Sequence, residues 1–330
     1  MLVGDMHAPG KIRLVERPEP ILPQEPPAGC TGQIIFQPET TCLCGSDLPY
    51  FNGTDEWPIE VGHSLHEMIG TVVATNGQRW QPGQRVLAVP IVQQGLCERF
   101  LLDENRAIDV ATNLPEEQAL MAQPLGTVLF ALKKLPTLVD KDIAVVGQGP
   151  MGQLFNAALR NLGARQVIGI DLLESRLVVS HQMGATATIC NARNNPVEAV
   201  RELLNGDLPE IVIECVGHAD QQFNLCVDLV QPNGRILFFG VPPNTIDGIR
   251  LKDMLYKNVT LHTSVNPDFR RDFPLAMQWL KEGRIQVDPI ITHRFPLHQI
   301  QEAFELFRDR REGAIKVIVE FPSRSLTTSS

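Results

Sequence analysis

The sequence predicts an α/β protein of two domains, in which a small irregular β domain leads into a doubly wound parallel sheet. Three observations carry this. Prolines and short apolar runs crowd residues 1 to about 124. From about residue 125 the texture changes to strands alternating with amphipathic helices, the pattern of a parallel sheet covered on both faces. Within that stretch the apolar run at 143–146 leads directly into three closely spaced glycines that open a helical pattern. A chain of 330 residues is also long enough for about two domains at ~150 residues each.

Taken in order, Pro18, Pro20, Pro23, Pro26 and Pro27 mark an irregular lead-in, followed by β-rich runs at 33–36, 70–74 and 85–89 with turns at Asn76-Gly77 and Pro82-Gly83. The second domain offers strands at 143–146, 166–170, 211–214 and 235–239. The last sixty or so residues predict a helix at 273–281, a strand at 290–293, a helix at 297–308 and a strand at 314–320, punctuated by Asp288-Pro289 and Phe295-Pro296. So apolar a terminal strand needs a sheet partner. Nothing local supplies one, so a return to the first domain is expected.

Composition narrows the function classes. With 43% hydrophobic and 20% charged residues the chain is far from the disordered corner. The net charge is −9 and no basic block occurs, which argues against a nucleic-acid partner. No apolar run is long enough to span a membrane, and the first ten residues lack the design of a signal peptide, so a cytoplasmic protein is expected. The seven cysteines (30, 42, 44, 97, 190, 215 and 226) are an odd count without a CxxC pair, which reads as core thiols or metal ligands rather than a disulfide framework. The Ser/Thr-rich tail from 323 to 330 is expected to fray.

The glycines belong to Gly147-Gln148-Gly149-Pro150-Met151-Gly152, with a helical pattern running to Leu162 and a stop at Gly163. Gly147 permits a tight turn, Gly149 lets backbone approach a pyrophosphate, and Gly152 lets helix and strand pack closely. The amides at the helix start, around Pro150 and Met151, face the anion. The next strand ends at Asp171, about twenty residues on, where a carboxylate accepts the ribose hydroxyls of NAD and repels a 2′-phosphate. Leu172 and Leu173 follow it in place of an Arg or Ser, which favours NAD over NADP. Arg176 is the nearby cation, either a solvated helix residue or a partner for the adenosine end.

A second constellation lies in the first domain. Cys42-Leu43-Cys44-Gly45-Ser46-Asp47 is followed about twenty residues later by Gly62-His63-Ser64-Leu65-His66-Glu67-Met68-Ile69-Gly70. Thiolate, imidazole and carboxylate are all zinc ligands, and three protein ligands with an open position make a catalytic site. Spacing alone leaves a purely structural reading open.

Cys44-Gly45-Ser46-Asp47, His66-Glu67-x-x-Gly70, the glycine turn and the ending Ile291-Thr-His-Arg-Phe-Pro-Leu, with Ala303-Phe304 and Gly313-Ala-Ile-Lys-Val after it, together resemble the zinc-dependent medium-chain dehydrogenase/reductases. The likeness runs from about residue 34 to 320 and is nearest to the polyol, sorbitol and threonine dehydrogenases. It implies a GroES-like catalytic domain formed by 1–124 and 265–330, a Rossmann domain over 125–264, and a substrate cleft between them. It also implies one catalytic zinc per chain on Cys44, His66 and Glu67, a proton-accepting Ser46, and Asp47 orienting the site from behind.

Four departures bear on that reading. Only His66, not His63, is followed by Glu and then Gly at the family's distance, so His66 takes the metal and His63 a structural role. Gln123 stands before Pro124-Leu125 where relatives often place a further ligand, and a neutral amide binds zinc weakly, so either water takes that position or affinity falls. Pro49 replaces the His that ends the family's proton relay, so protons leave through water or His63. The four-cysteine lobe of a structural zinc has no counterpart, since Cys97 stands alone between Val89 and Phe100. Cys97, Cys190, Cys215 and Cys226 then read as small buried hydrophobes. Tyr50 and Phe51 either line the substrate pocket or pack.

The activity implied is reversible hydride transfer between NAD(H) and an alcohol/carbonyl pair, with zinc as Lewis acid. A polyol, sugar or amino alcohol would each suit as the small-molecule substrate. The alternatives are a metal-free NAD(P)H quinone or enoyl reductase and a dinucleotide-binding protein without turnover. Relatives pair through Rossmann edge strands, so a homo-oligomer, dimer or tetramer, is implied for this chain.

Overall fold

The computed structural model describes residues 1–54, 57–90, 93–217 and 222–323. The chain begins with a hairpin that the sequence reading did not anticipate. Strands β1 (Leu2–Ala8) and β2 (Lys11–Glu16) pair antiparallel across Gly10, whose φ of +72° suits glycine. There follow β3 (Gln33–Cys42), a single 3-10 turn (Gly45–Asp47), α1 (Leu48–Asn52), β4 (Met68–Thr75), β5 (Arg85–Ala88), β6 (Phe100–Asp103), β7 (Ala107–Asp109) and α2 (Glu116–Leu120).

The middle of the chain alternates helix and strand: α3 (Ala122–Leu132), β8 (Asp142–Val146), α4 (Pro150–Asn161), β9 (Gln166–Asp171), α5 (Glu174–Gln182) and β10 (Ala187–Cys190). It continues with α6 (Pro196–Leu203), β11 (Ile211–Glu214), α7 (Gln222–Leu229), β12 (Arg235–Phe238), α8 (Leu251–Lys257) and β13 (Thr260–Thr263). The C-terminal part adds α9 (Phe269–Lys281), β14 (Ile291–Pro296), α10 (Ile300–Asp309) and β15 (Lys316–Glu320).

Two compact units result. The first is Met1–Gln123 with Phe269–Lys281 and Ile291–Ser330; the second is Pro124–Asp268 with Glu282–Ile290. The sequence reading placed everything from 265 onward in the first. Residues 265–268 lie instead in the second, as does Glu282–Ile290, because Ile285, Val287 and Ile290 are buried and Asn161 of α4 donates to the Arg284 carbonyl at 3.2 Å. Helix α9 also begins a turn earlier than expected. Phe269 stacks edge-on with Phe273, ring centroids 4.9 Å apart, and Arg106 lies over Phe269, so Pro274 falls inside the helix. Of the tail expected to fray, 324–330 lies outside the described residues.

In the first unit the described strands form a sheet in the order β14-β15-β3-β4-β5-β7, with β6 also on β3. Strand β3 organises it. On one edge β4 runs along its length; on the other, β6 takes Gln33–Phe36 and β15 takes Thr40–Cys42. Pro38, which cannot donate to a ladder, sits between those two partners at a register shift. Gly70 lies opposite, where a Cβ would meet the Gln37 carbonyl oxygen at 2.1 Å, so the close approach of the two strands requires glycine there. The apolar stripe of α10 (Ile300, Ala303, Phe304, Phe307) buries itself in the core, with Phe304 against Phe51 of α1 at 5.0 Å.

The stretch around Cys97 is held to β1 by backbone and side-chain bonds. Gly4 N donates to the Leu96 carbonyl at 2.8 Å and Leu2 N to Glu98 Oε2 at 2.5 Å. The buried Arg99 guanidinium reaches Glu19 at 2.6 Å and Gln37 at 2.9 Å.

In the second unit the six described strands are all parallel, in the order β10-β9-β8-β11-β12-β13. Successive strands step outward from β8 in one direction and then, from β11, in the other. The switch falls between β8 and β11, the place where open α/β sheets bind ligands. No helix among the described residues is long and apolar enough to cross a membrane.

Candidate functional site

The sulfur, nitrogen and oxygen donors of Cys44, His66 and Glu67 lie within 4.8 Å of one another. Two segments deliver them. Cys44 follows β3 and precedes the 3-10 turn; His66 and Glu67 lead into β4. Asp47 ties the segments together with no exposed surface of its own. Its Oδ2 accepts from Cys44 N at 2.8 Å, and its Oδ1 accepts from Ser64 Oγ at 2.7 Å and Leu65 N at 2.9 Å. Between these bonds Ser64 and Leu65 adopt φ of +103° and +64°, a left-handed region that non-glycine residues seldom occupy. Ser64 N also donates to the Gln93 carbonyl at 2.5 Å, and the Ser64 carbonyl accepts from Gly95 N at 2.9 Å.

Behind the donors, Glu67 is gripped by groups that no spacing argument revealed. Lys316 on β15, with no exposed surface, donates to Glu67 Oε2 at 2.5 Å and to the Leu43 carbonyl at 3.2 Å. The Cys42 thiol donates to the same Oε2 at 2.8 Å. Burial pushes the Cys42 thiol well up, with Glu67 adding to the effect, so it stays protonated. Burial also works against the charge on Glu67, yet the Lys316 ammonium and the His66 ring hold its carboxyl below the ordinary range. Burial works against the Lys316 ammonium, and the Glu67 carboxylate keeps it charged. The signal that could have revealed Lys316 is a single charge inside the apolar run Ala314-Ile315-Lys316-Val317-Ile318-Val319.

The surroundings suit a divalent cation. For His66, burial disfavours the charged ring, but the hydrogen bond to Cys44 and the Asp47 and Glu67 carboxylates outweigh it and draw the pKa up to about 9. Such a site is negative enough to hold a proton on imidazole and, by the same field, a metal. His66 Nδ1 is buried without a hydrogen-bond partner, 3.9 Å from Asp47 Oδ1, while Nε2 faces Glu67 Oε1 at 4.0 Å. Thiolate, imidazole and a carboxylate oxygen on one face form a donor set that zinc accepts.

Ser46 is half-buried in the same 3-10 turn as Asp47. His63 stands apart from the donor trio and packs edge-on against Tyr50, ring centroids 4.4 Å apart. Gln123 is buried in the first turn of α3, and Pro49 lies in the first turn of α1. Phe51 is core, against Phe304. Cys97, Cys190 and Cys226 are buried, and burial pushes the Cys97 thiol up to about 12. Cys215 is half-buried, and burial raises its thiol too.

In the second unit the glycine turn lies at the carboxyl end of β8. Gly147 has φ +92°, and a Cβ there would meet Val216 Cγ2 at 2.8 Å, so the turn packs on the loop after β11. A Cβ at Gly152 would come within 1.9 Å of the Gly147 carbonyl oxygen. Gly149 caps α4 and Pro150 opens it, where the missing N–H of proline costs nothing; Met151 and Gly152 follow in the first turn. Asp171, at the end of β9, accepts from Gln148 N at 2.6 Å through Oδ2 and from Leu173 N at 2.9 Å through Oδ1. Arg176 Nη1 is 3.9 Å from Asp171 Oδ2 and would be 3.7 Å from a Cβ at Gly149, which places it over the glycine turn rather than out in solvent. Glu214, buried at the end of β11, accepts from the amides of Val216, Gly217 and Gly240 and so fixes the two loops beside the turn. Burial raises its carboxyl despite those bonds.

A six-stranded parallel sheet with a glycine turn at its switch point, and a β unit bearing a thiolate–imidazole–carboxylate trio, together define a dinucleotide- and metal-dependent oxidoreductase. Residues 31–123 match the family described as alcohol dehydrogenase GroES-like domain, and 150–282 match the zinc-binding dehydrogenase family. An L-threonine 3-dehydrogenase of Bacillus licheniformis is 27% identical over 87% of this chain and 91% of its own length. The sorbitol dehydrogenase of Rattus norvegicus is 27% identical over 91% of this chain and 90% of its own. Among solved structures, the alcohol dehydrogenase TADH of Thermus sp. ATN1 superposes with a TM-score of 0.84 at 25% identity, covering 98% of this chain and all of that one. The chain belongs to the zinc-dependent medium-chain dehydrogenase/reductases.

If Asp47 is the tie between the two donor segments, Asp47→Ala frees Ser64–Leu65 and lets His66 drift from Cys44. Zinc affinity, measured by chelator competition, should fall about 10- to 100-fold, with NADH binding unchanged. Unaltered zinc affinity in the folded variant would remove Asp47 from the site.

Proposed function

We propose that this protein interconverts an alcohol and its carbonyl compound by hydride exchange with NAD(H), at one zinc per chain held by Cys44, His66 and Glu67. The observation that carries the reading is the convergence of those three donors, Glu67 buried and the other two half-buried, on one negative site. As a family member the chain is an oxidoreductase of CH–OH groups that works with zinc and NAD. When bound, zinc supplies a Lewis acid that makes the alcohol proton more acidic, and NAD supplies the hydride acceptor.

The chain's own residues do the rest. Asp47 holds the Cys44 and His66 segments in register, and Lys316 fixes the Glu67 carboxylate from behind. Ser46 receives the alcohol proton at Oγ. With Pro49 in place of a relay histidine, that proton passes on through water or His63. Gln123, the neutral amide before Pro124-Leu125, leaves the fourth position to water or substrate. The glycine turn and the first amides of α4 bind the pyrophosphate. Asp171 takes the ribose hydroxyls, and Arg176 braces the adenosine side.

The threonine and sorbitol dehydrogenases among its relatives point to a small polar alcohol, a polyol, sugar or amino alcohol, as substrate class. A metal-free reductase and a non-catalytic dinucleotide binder are not favoured, since neither makes use of the donor trio.

Two chains would pair through β13. It is an edge strand of the second unit's sheet, and Leu251, Leu255, Tyr256 and Val265 near it are each more than two-thirds exposed. A dimer, or a tetramer of such dimers, would cover them. The seven cysteines are all free, which suits a reducing, cytoplasmic setting.

Three measurements test this reading. Cys44→Ala should abolish zinc content by metal analysis, and turnover on an alcohol panel with it, while NADH binding persists; turnover by metal-free Cys44→Ala would sink the assignment. Joint replacement Asp171→Gly and Leu172→Arg should shift the kcat/KM preference toward NADP by about 10- to 100-fold, whereas an unmoved preference would mean the ribose is read elsewhere. Leu255→Glu with Tyr256→Lys should halve the particle mass in light scattering, and an unchanged mass would place the interface on another face.

A further inference from the structure

The residue between the first two glycines of the turn carries the largest side chain of the motif's opening, and it points inward. Gln148 has no exposed surface. Its Nε2 donates to the Val145 carbonyl on β8 at 2.8 Å, and its Oε1 accepts from Asn156 Nδ2 on α4 at 2.6 Å and from Ser180 Oγ on α5 at 2.8 Å. Its backbone N donates to Asp171 Oδ2 at 2.6 Å, and its carbonyl accepts from Gln153 Nε2 at 3.1 Å. Gln153 Nε2 also reaches the Arg176 carbonyl at 3.0 Å. Asn156, Gln153 and Ser180 are, like Gln148, wholly buried.

One side chain therefore bolts the turn to the strand before it and to the two helices that flank it, in an interior where each such bond is hard to replace with water. Room for it comes from Gly169, in the middle of β9. A Cβ there would stand 3.0 Å from both Gln148 Cδ and Oε1. Glycine inside a parallel strand is otherwise unfavourable, and the buried amide explains its presence.

We propose that Gln148 is a positioning residue of the dinucleotide site. By clamping the turn to α4 and α5 it fixes the spacing between the pyrophosphate-binding amides and the ribose-binding Asp171 before the cofactor arrives, so the loop pays no ordering cost on binding. Gly169 is the permissive half of the device. This inference rests on the proposed function insofar as the second unit binds NAD(H).

The test compares Gln148→Ala, Gly169→Ala and the double variant in the full-length, zinc-loaded protein, with NADH and ADP-ribose as probes. Loss of the clamp should raise both dissociation constants at least about five-fold, raise KM for NAD by a like factor and lower kcat at saturating NAD by less than two-fold. A purely structural role would move the unfolding temperature and leave the affinity of the folded protein unchanged.

Gly169→Ala crowds the amide, which has to give way by a few tenths of an ångström and loosen its bonds, and should weaken binding. Because the added methyl occupies the space the amide vacates, the double variant should bind no worse than the weaker single variant, a clear departure from additivity. Should Gln148→Ala fail to fold, Gly169→Ala and Ser180→Ala, which removes only one of the three side-chain bonds, carry the same expectation with a smaller shift for the latter. Folded Gln148→Ala or Gly169→Ala with wild-type affinity for both probes, or additive losses in the double variant, would overturn the inference. Failure of the unsubstituted protein to bind either probe would instead overturn the cofactor assignment on which it rests.

Discussion

The candidate metal site depends on one buried carboxylate. A carboxylate withdrawn from water is tolerable only when donors saturate it, and Asp47 takes its donors from both segments, adding to the β3–β4 pairing a tie that reaches Cys44 on one side and Ser64–Leu65 on the other. Cys44 N, Ser64 Oγ and Leu65 N all point at it, so the sulfur of Cys44 and the ring of His66 cannot shift independently. The same bonds hold Ser64 and Leu65 in left-handed conformations, each of which costs ~1–3 kcal/mol. That strain lets the chain double back within two residues of His66. Strain and carboxylate are thus parts of one arrangement, since without the donors' grip the left-handed pair would relax.

Glu67 is governed from farther away. Lys316 reaches it across 249 residues of sequence, and it does so because β15 pairs with β3 exactly where Thr40–Cys42 has no other partner on that edge. Pro38, which has no N–H to donate, lies in the gap on that edge between the residues paired with β6 and those paired with β15, and the pairing at Thr40–Cys42 brings the lysine behind the candidate donors. Removing one partner of such a buried pair strands the other charge, which makes the closing strand as much part of the site as the donors themselves. The pairing also fixes the Glu67 carboxylate, with Oε2 committed to Lys316 and Cys42 and Oε1 turned toward His66.

The pattern of legibility follows from the range of each constraint. Gly147, Gly149 and Gly152 were readable because their spacing is contained within six residues after a strand, although only the Gly152 contact, with the Gly147 carbonyl, is itself local; Gly147 packs on Val216. Asp171 was readable for the same reason, as the end of the next strand. His66 is distinguished from His63 in the sequence only by the family's Glu and Gly that follow it; in the structure Asp47 binds Ser64 and Leu65 just before His66, while His63 stacks on Tyr50. Gln148 and Lys316 escaped notice because their partners are scattered over distant elements. The β1–β2 hairpin was missed because a short alternating pair beside an N-terminus resembles the irregular lead-in that follows it. The excursion of Glu282–Ile290 into the second unit depends on burial of three aliphatic residues that no local pattern marks.

Asp47 in the 3-10 turn after β3, and Asp171 and Glu214 at the ends of β9 and β11, share one design, in which an acid accepts backbone amides from neighbouring segments and spends part of its capacity on structure. For Asp171 this bears directly on cofactor choice. A carboxylate offers about four acceptor positions, and Gln148 N and Leu173 N take one on each oxygen. What remains is one acceptor per oxygen, the number needed for the two hydroxyls of an adenosine ribose. Both bonds also prevent the group from swinging away, so a 2′-phosphate would have to approach a negative charge that cannot retreat. Arg176, 3.9 Å from the nearer oxygen, lies on the side of the glycine turn and softens that field without supplying a second cation for a phosphate. On the proposed reading, preference for NAD would therefore reside less in the identity of residue 171 than in the two amides that hold its carboxylate still.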